Sequence, residues 1–166
     1  MGLTVRRIRS DEALHLREIR LAALDDAPEA FTTTHAEMID QPVAFWVDRV
    51  ETNASGVAAA TFVAEGDHGW VGMVAGFHPD PDDDAVELVS MWVTPDGRRA
   101  GAGQALVEAV VDWAQAIGAP SVGLWVVRGN DPAVALYERC GFVLDPGYEA
   151  KPHDPCADEI RMRVDL

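Results

Sequence analysis

The stretch Val93–Ala114, VTPDGRRAGAGQALVEAVVDWA, decides how this chain is read. An apolar strand runs into it, two arginines and two closely spaced glycines follow, and a helix begins at once. A helix leaves its first backbone N–H groups without intrahelical partners and carries partial positive charge at that end. Anions, phosphate above all, settle there readily. Gly101 and Gly103 would let a ligand approach the backbone with no Cβ in the way, and Arg98 and Arg99 can add charge-assisted contacts. A tight strand-to-helix turn accounts for the same residues, so the stretch alone leaves two readings open. Two others are excluded by letter. No Gly-Lys-Ser/Thr is present, as a nucleotide P-loop requires, and Leu106 stands where a dinucleotide fingerprint needs its third glycine.

The whole chain bounds what the stretch can belong to. Its 166 residues suit one domain spanning 1–166, large enough to bury a real core. Hydrophobic residues make up 48% and charged residues 25%, the balance of a globular protein rather than a disordered one. No apolar run approaches the roughly 20 residues of a membrane span. The N-terminal MGLTVRRIRSDE lacks the apolar core of a signal peptide, and Arg6 replaces the Ser or Thr of a myristoylation signal. Cys140 and Cys156 make neither a disulfide framework nor a zinc site, so the expected compartment is a reducing cytoplasm. The net charge of −15 argues against nucleic acid as a partner. An acidic field attracts cationic partners such as amines, although acidity also serves solubility alone.

Element types alternate along the chain. LTVRRIR alternates apolar and basic, as a half-buried strand does. Ser10 or Asp11 can cap a helix through EALHLREIRLAAL, with Leu14, Ile19 and Leu21 at near-helical spacing, and PVAFWVDRV predicts a shorter second helix. GVAAATFVAE and GWVGMVAGF predict a hairpin around the turn GDHG. The polar HPDPDDDA leads into the strand VELVSMWV. After the quoted helix come strand SVGLWVV, helix PAVALYERC, a short strand FVLD and a last strand near EIRMRV. The expected fold is therefore α/β: a mixed, mostly antiparallel central sheet with helices on both faces.

A second motif follows the first. RRAGAG fits Arg/Gln-x-x-Gly-x-Gly, and 27 residues after Gly103 begins NDPAVALYERCGF, Asn130–Phe142. In order and spacing the two together resemble the GNAT superfamily of acyl-CoA-dependent N-acyltransferases, over about a third of the chain from Glu87 onward. The resemblance implies that fold, an acetyl-CoA cosubstrate, no metal, and acetyl transfer to a primary amine by direct attack in a ternary complex. It implies that Arg98, Arg99, Ala100, Gly101, Ala102, Gly103 and Gln104 bind the CoA pyrophosphate. The strand through Met91, Trp92 and Val93 would splay from its neighbour at a bulge, with pantetheine in the gap. By register Met91 would offer its N–H to the thioester carbonyl, a preset donor for a growing oxyanion. Asn130 and Ala133 would flank the pantetheine, Asn130 also capping its helix.

Two side chains complete the implied chemistry. Tyr137 takes the place of the acid that protonates the departing thiolate, although a phenol of reference pKa about 10 is a weaker acid than a thiol near 8.5. A Tyr that merely packs on the cofactor fits the same position. Glu87, four residues before Met91, is the candidate base for the ammonium, and a solvated strand-end carboxylate is the competing reading. The five histidines show no metal-ligand spacing; His153 in KPHDPC reads as a loop residue near the implied acceptor pocket. Cys140 reads as core packing rather than a nucleophile. Phe31 and Trp46 could line the acceptor side, Trp46 fitting the core as well. The acceptor is a small-molecule or peptide amine of unspecified identity. If the chain self-associates, a homodimer is the commonest closed form. A catalytically weak, regulatory CoA-binding module and an unrelated phosphate-binding domain remain open alternatives.

Overall fold

The computed structural model describes residues 2–79, 82–145 and 158–166. Strand β1 (Thr4–Arg7) leads into helix α1 (Ala13–Asp26), a 3-10 turn at Pro28–Ala30, α2 (His35–Ile39) and α3 (Val43–Ala54). A hairpin of β2 (Ala59–Gly66) and β3 (Gly69–Phe77) precedes β4 (Val86–Val93), a 3-10 turn at Pro95–Gly97 and the long helix α4 (Ala102–Ala116). The chain ends with β5 (Ser121–Val127), α5 (Asp131–Arg139), the short β6 (Val143–Leu144) and β7 (Glu159–Asp165). Among the described residues seven strands form one sheet in the order β1-β2-β3-β4-β5-β7-β6. Every pairing is antiparallel except β4–β5, the pair that α4 joins as a crossover. The mixed α/β fold expected from the sequence is the fold observed. Among the described residues no helix is long and apolar enough to cross a membrane.

Two apolar layers hold the sheet between helices. On one face α4 and α5 bury Leu106, Val110 and Tyr137 against Val74, Leu88, Val122 and Leu124. On the other, α1 and α3 bury Ile19, Leu24, Trp46 and Val50 against Val63, Met73 and Trp92. The buried stripe of α1 is Ala13, Leu16, Ile19, Arg20, Ala23 and Leu24, a spacing of three and four that keeps one face inward. Leu14 falls on the opposite face and is 58% exposed, which corrects the expected stripe. The cap differs too: Glu12, not Ser10 or Asp11, occupies the N-cap position. The sequence reading passed over α2, although Thr34-x-x-Glu37 is a capping-box signature. The Glu37 N–H donates to Thr34 Oγ1 at 3.2 Å and the Thr34 N–H to Glu37 Oε2 at 2.7 Å.

The feature that shapes the site is an interruption in β4. Val89 pairs with Ala75 and Trp92 with Met73, so Ser90 and Met91 together stand opposite Val74. Two residues against one is a β-bulge. Ser90 adopts φ +58°, alone among the described non-glycine residues in having a positive φ. The bulge reverses the strand's alternation. Val86, Leu88 and Val93 all enter the α4 layer, while Trp92 enters the α1 layer. An unbroken strand could not put Leu88 and Val93, five apart, on one face.

Glu12 also fastens α1 to the sheet. Its carboxylate accepts from Arg6 Nη2 at 2.5 Å, Arg6 Nη1 at 2.9 Å and the Arg9 N–H at 2.8 Å, and Arg6 bonds onward to Glu65 of β2 at 2.7 Å. The Arg6 guanidinium, foremost among these partners, holds Glu12 down at about 2 from the ordinary 4.5. A depressed carboxylate stabilises the fold above its unfolded value and loses that contribution as pH falls through the folded one. Glu12→Gln should therefore lower the Tm at neutral pH by roughly 3–10 °C, from a net worth of about 1.5–3 kcal/mol for charged hydrogen bonds. In thermal melts taken across pH, the gap to the native chain should close between about 4.5 and about 2. A gap still open at pH 2 would assign Glu12 a packing role instead.

Candidate functional site

Parallel strands β4 and β5 meet in register only at Val86–Val122 and Glu87–Gly123. Beyond Glu87 they part, at the place where the bulge turns β4 aside. The gap is a cavity of about 220 Å³ with Glu87, Ser90 and Met91 on one wall, Trp125 and Val127 on the other, and Asn130, Ala133 and Tyr137 of α5 at its back. Phe31, from the segment after α1, also lines it. A second cavity of about 360 Å³ continues toward the start of α4, between Met91, Val93, Gly101, Gly103 and Gln104 on one side and Leu136 on the other. Met91, Ala133 and Tyr137 line both. One groove thus runs from the α4 N-terminus, past the bulge, to Glu87.

The helix end is built as the sequence suggests. Gly101 caps α4 in the left-handed conformation, φ +78°, and no side chain caps the helix. A Cβ added at Gly101 would meet nothing within 4 Å, so the space over it is open. The first intrahelical bond runs from the Ala105 N–H to the Gly101 carbonyl at 3.2 Å, leaving the amides of Ala102, Gly103 and Gln104 at the free end. Gly103 does a different job: a Cβ there would stand 3.2 Å from Leu136 Cδ2, so its lack of one lets α5 pack against α4. The two arginines are divided as well. Arg98 donates to the Val93 carbonyl at 3.1 Å and forms an ion pair with Asp26, whose other partner is the Trp92 indole at 3.0 Å. It lines the groove as a strut joining β4 to α1. Arg99 and Ala100 are exposed. The Gln104 amide donates to Glu108 at 2.8 Å.

Tyr137 is buried among the core residues of its face, its ring centroid 5.9 Å from that of Phe142. Burial, with a smaller push from Cys140, raises its hydroxyl to about 12. Glu87 sits on the sheet face away from α4, since Val86 and Leu88 take the α4 side. Its carboxylate accepts from Arg161 Nη1 of β7 at 2.5 Å. Gly123 makes that reach possible: a Cβ there would lie 2.1 Å from Arg161 Nη2, so the guanidinium crosses β5 where no side chain stands. Burial pushes the Glu87 pKa up, and the hydrogen bond and charge of Arg161 pull against it; the net direction is upward. The solvated strand-end reading of Glu87 does not hold. Asn130 caps α5, accepting from the Ala133 N–H at 3.4 Å. Trp92 reaches the groove at the wall, yet its indole belongs to the α1 layer.

Sequence reasoning missed three residues here. Ser90 and Arg161 carry no motif. Arg20 does carry a signal, a charged residue four after Leu16 inside an apolar stripe, and it lines the Glu87 cavity. Trp46 is fully buried, as its core reading required. Burial raises the thiol pKa of half-buried Cys140, the opposite of what a nucleophile needs. His153 and Cys156 lie outside the described residues. Among the described residues no group of His, Cys, Asp and Glu could hold a metal ion.

This architecture has well-matched relatives. The chain superposes on a GNAT-family acetyltransferase from Streptococcus pneumoniae with a TM-score of 0.80 at 21% identity, covering 99% of this chain and 100% of that one. It matches the PaiA N-acetyltransferase of Thermoplasma acidophilum, solved in complex with coenzyme A, with a TM-score of 0.76 at 15% identity over the whole of both chains. These likenesses establish the fold. In sequence it is 30% identical over 128 residues to a mycothiol acetyltransferase of Streptomyces coelicolor, covering 75% of this chain and 37% of that protein. The chain spans less than half the length of the mycothiol acetyltransferases it matches. Residues 14–142 match the Acetyltransferase (GNAT) family, and the chain belongs to it.

Proposed function

We propose that the chain moves an acetyl group from acetyl-CoA to a primary amine by direct attack within a ternary complex. The observation that carries this reading is the parting of β4 from β5 at a bulge, in line with the open end of α4. A slot between strands offers backbone groups to an extended chain, as pantetheine is, while the helix end suits a pyrophosphate. The groove therefore fits acetyl-CoA, with the Ala102–Gln104 amides toward the phosphates and Met91 and Val93 toward the pantetheine. Acetyl-CoA supplies the activated acyl group; the rest falls to the chain's own residues. The Met91 N–H donates to the thioester carbonyl oxygen as charge grows there. As the amine nitrogen bonds to the acyl carbon and the carbon–sulfur bond breaks, Glu87 takes a proton from the nitrogen and Tyr137 faces the sulfur.

Magnitudes limit what Tyr137 does. Burial holds its phenol at about 12, above the ordinary 10 and above a reference thiol near 8.5, so complete transfer to the thiolate is unfavourable. The hydroxyl therefore acts as a hydrogen-bond donor to the developing thiolate, and water completes the protonation. Release of free thiol from acetyl-CoA, dependent on added amine, tests the reading directly. Acetyl-CoA binding without any amine-dependent release would leave the chain as a CoA-binding module.

Three variants divide the machinery. Gly101→Asp places a carboxylate at the open helix end; the left-handed backbone costs it about 1–2 kcal/mol, short of unfolding. Acetyl-CoA affinity, by calorimetry, should fall by at least 10-fold; unchanged affinity in the folded variant removes the pyrophosphate assignment. As loss of a hydrogen-bond donor to the developing charge, Tyr137→Phe should lower kcat by roughly 100-fold with little change in acetyl-CoA affinity. Near-normal turnover would give the donor role to water alone. Glu87→Gln should slow turnover most at neutral pH, where an amine of pKa near 10.4 is almost all ammonium. Raising the pH should restore part of the loss, and a pH–rate profile parallel to that of the native chain would make Glu87 a bystander.

A further inference from the structure

A further cavity, about 500 Å³, takes no part in the chemistry above. It lies on the other side of the bulge, between α1, α3 and the sheet, and shares Arg20, Val89 and Ser90 with the Glu87 cavity. Leu16, Phe45, Trp46, Met73 and Phe77 give it apolar walls. Two guanidiniums interrupt them. Arg20 is only 8% exposed, with its guanidinium carbon 4.5 Å from the Phe31 ring centroid. Its Nη1 donates to Ser90 Oγ at 3.0 Å and its Nη2 to Thr33 Oγ1 at 3.1 Å, while its buried Nε has no partner among the described residues. Arg49 of α3 stacks on Phe45, 5.0 Å from its centroid, and opens toward solvent.

Among the described residues neither arginine is in an ion pair. Asp48, a carboxylate on the same wall, is exposed and bonds to neither. Both guanidiniums line the same cavity, and burial first and the Arg49 charge second bring Arg20 down to about 10. A buried cation beside a like charge is costly unless an anion joins it. Leucine or methionine at position 20 would complete the α1 stripe without that cost.

We propose that the acceptor amine bears an anionic group, carboxylate or phosphate, which Arg20 and Arg49 hold in this cavity so that the amine lies at the bulge. The inference rests on the acetyl-transfer reading and narrows it. Arg20 bonds to Ser90, the residue before Met91, so anion and amine must be separated by few bonds. The apolar walls then receive the remainder, as they would the side chain of an apolar amino acid. The net charge of −15 favours cationic acceptors at long range. Salt screens that field over about 8–10 Å, and inside the cavity the local guanidiniums prevail.

The test pairs each anionic amine with its neutral counterpart: phenylalanine, leucine and methionine against their carboxamides, and O-phosphotyramine against tyramine, with spermidine as the cationic arm. Thiol release from acetyl-CoA gives kcat/KM, and calorimetry with acetyl-CoA alone is run in parallel. Anionic members should exceed their neutral partners by 10-fold or more. The series with the larger gap identifies carboxylate or phosphate. Arg20→Gln and Arg49→Gln should each shrink that gap while acetyl-CoA affinity stays unchanged; Arg49 is exposed, so its variant folds even if the other does not. Equal or better turnover of carboxamides, tyramine or spermidine overturns the proposal, as does a gap that survives in Arg49→Gln. Acetyl-CoA binding with no turnover of any probe overturns it too. Failure to bind acetyl-CoA at all overturns the acetyl-transfer reading beneath it.

Discussion

Two parallel strands that share only two register positions must be held apart everywhere else, and most of this molecule serves that separation. The bulge at Ser90 and Met91 turns β4 away after Glu87, and α4 spans the gap as the crossover to β5. Once apart, the strands leave backbone groups unsatisfied by each other, a state a sheet tolerates only where something else can pair with them. α5 closes the rear of the gap with Tyr137, and Arg98 ties the end of β4 to Asp26 of α1. The site is a fault in the sheet, kept open by the packing around it.

Charge is distributed with equal purpose. Acidic residues outnumber basic ones 28 to 13, yet arginines stand at the joints of the fold: Arg6 at the α1 joint, Arg98 at the end of β4, Arg161 over Gly123, Arg20 at the bulge. Three of these four meet a carboxylate distant in sequence: Arg6 meets Glu65, Arg98 meets Asp26 and Arg161 meets Glu87. Arg20 meets two hydroxyls instead. A guanidinium offers five donors in a fixed plane, which suits it to such joints better than an ammonium.

Much of the architecture was legible because it rests on periodicity and short motifs. The strands from Ala59 to Val127 and the long helix stand where alternation and helical spacing put them. The open helix end followed from Gly101, since only its conformation and missing side chain were needed. What escaped depends on contacts between distant segments. Gly103 and Gly101 look alike in sequence, but one packs against Leu136 and the other faces open space. Arg98 and Arg99 are adjacent and identical, yet only Arg98 reaches Asp26, 72 positions away. The partner of Glu87 is 74 positions on and reaches it across a glycine. Leu14 misled because three apolar residues at near-helical spacing do not fix which face turns inward.

The inverted alternation of β4 bears on how the gene can vary in length. A residue lost from β4 at Ser90 would do more than flatten the strand. Every side chain after it would change sides, sending Trp92 toward the small residues under α4 and Val93 into the space a tryptophan fills beside α1. A residue gained would do the same in reverse. Substitutions along this strand are graded in their effect, whereas insertions and deletions are all-or-none. Descendants of this chain can lengthen or shorten the Asp-rich loop before Val86, and must keep the count from Val86 to Val93 at eight.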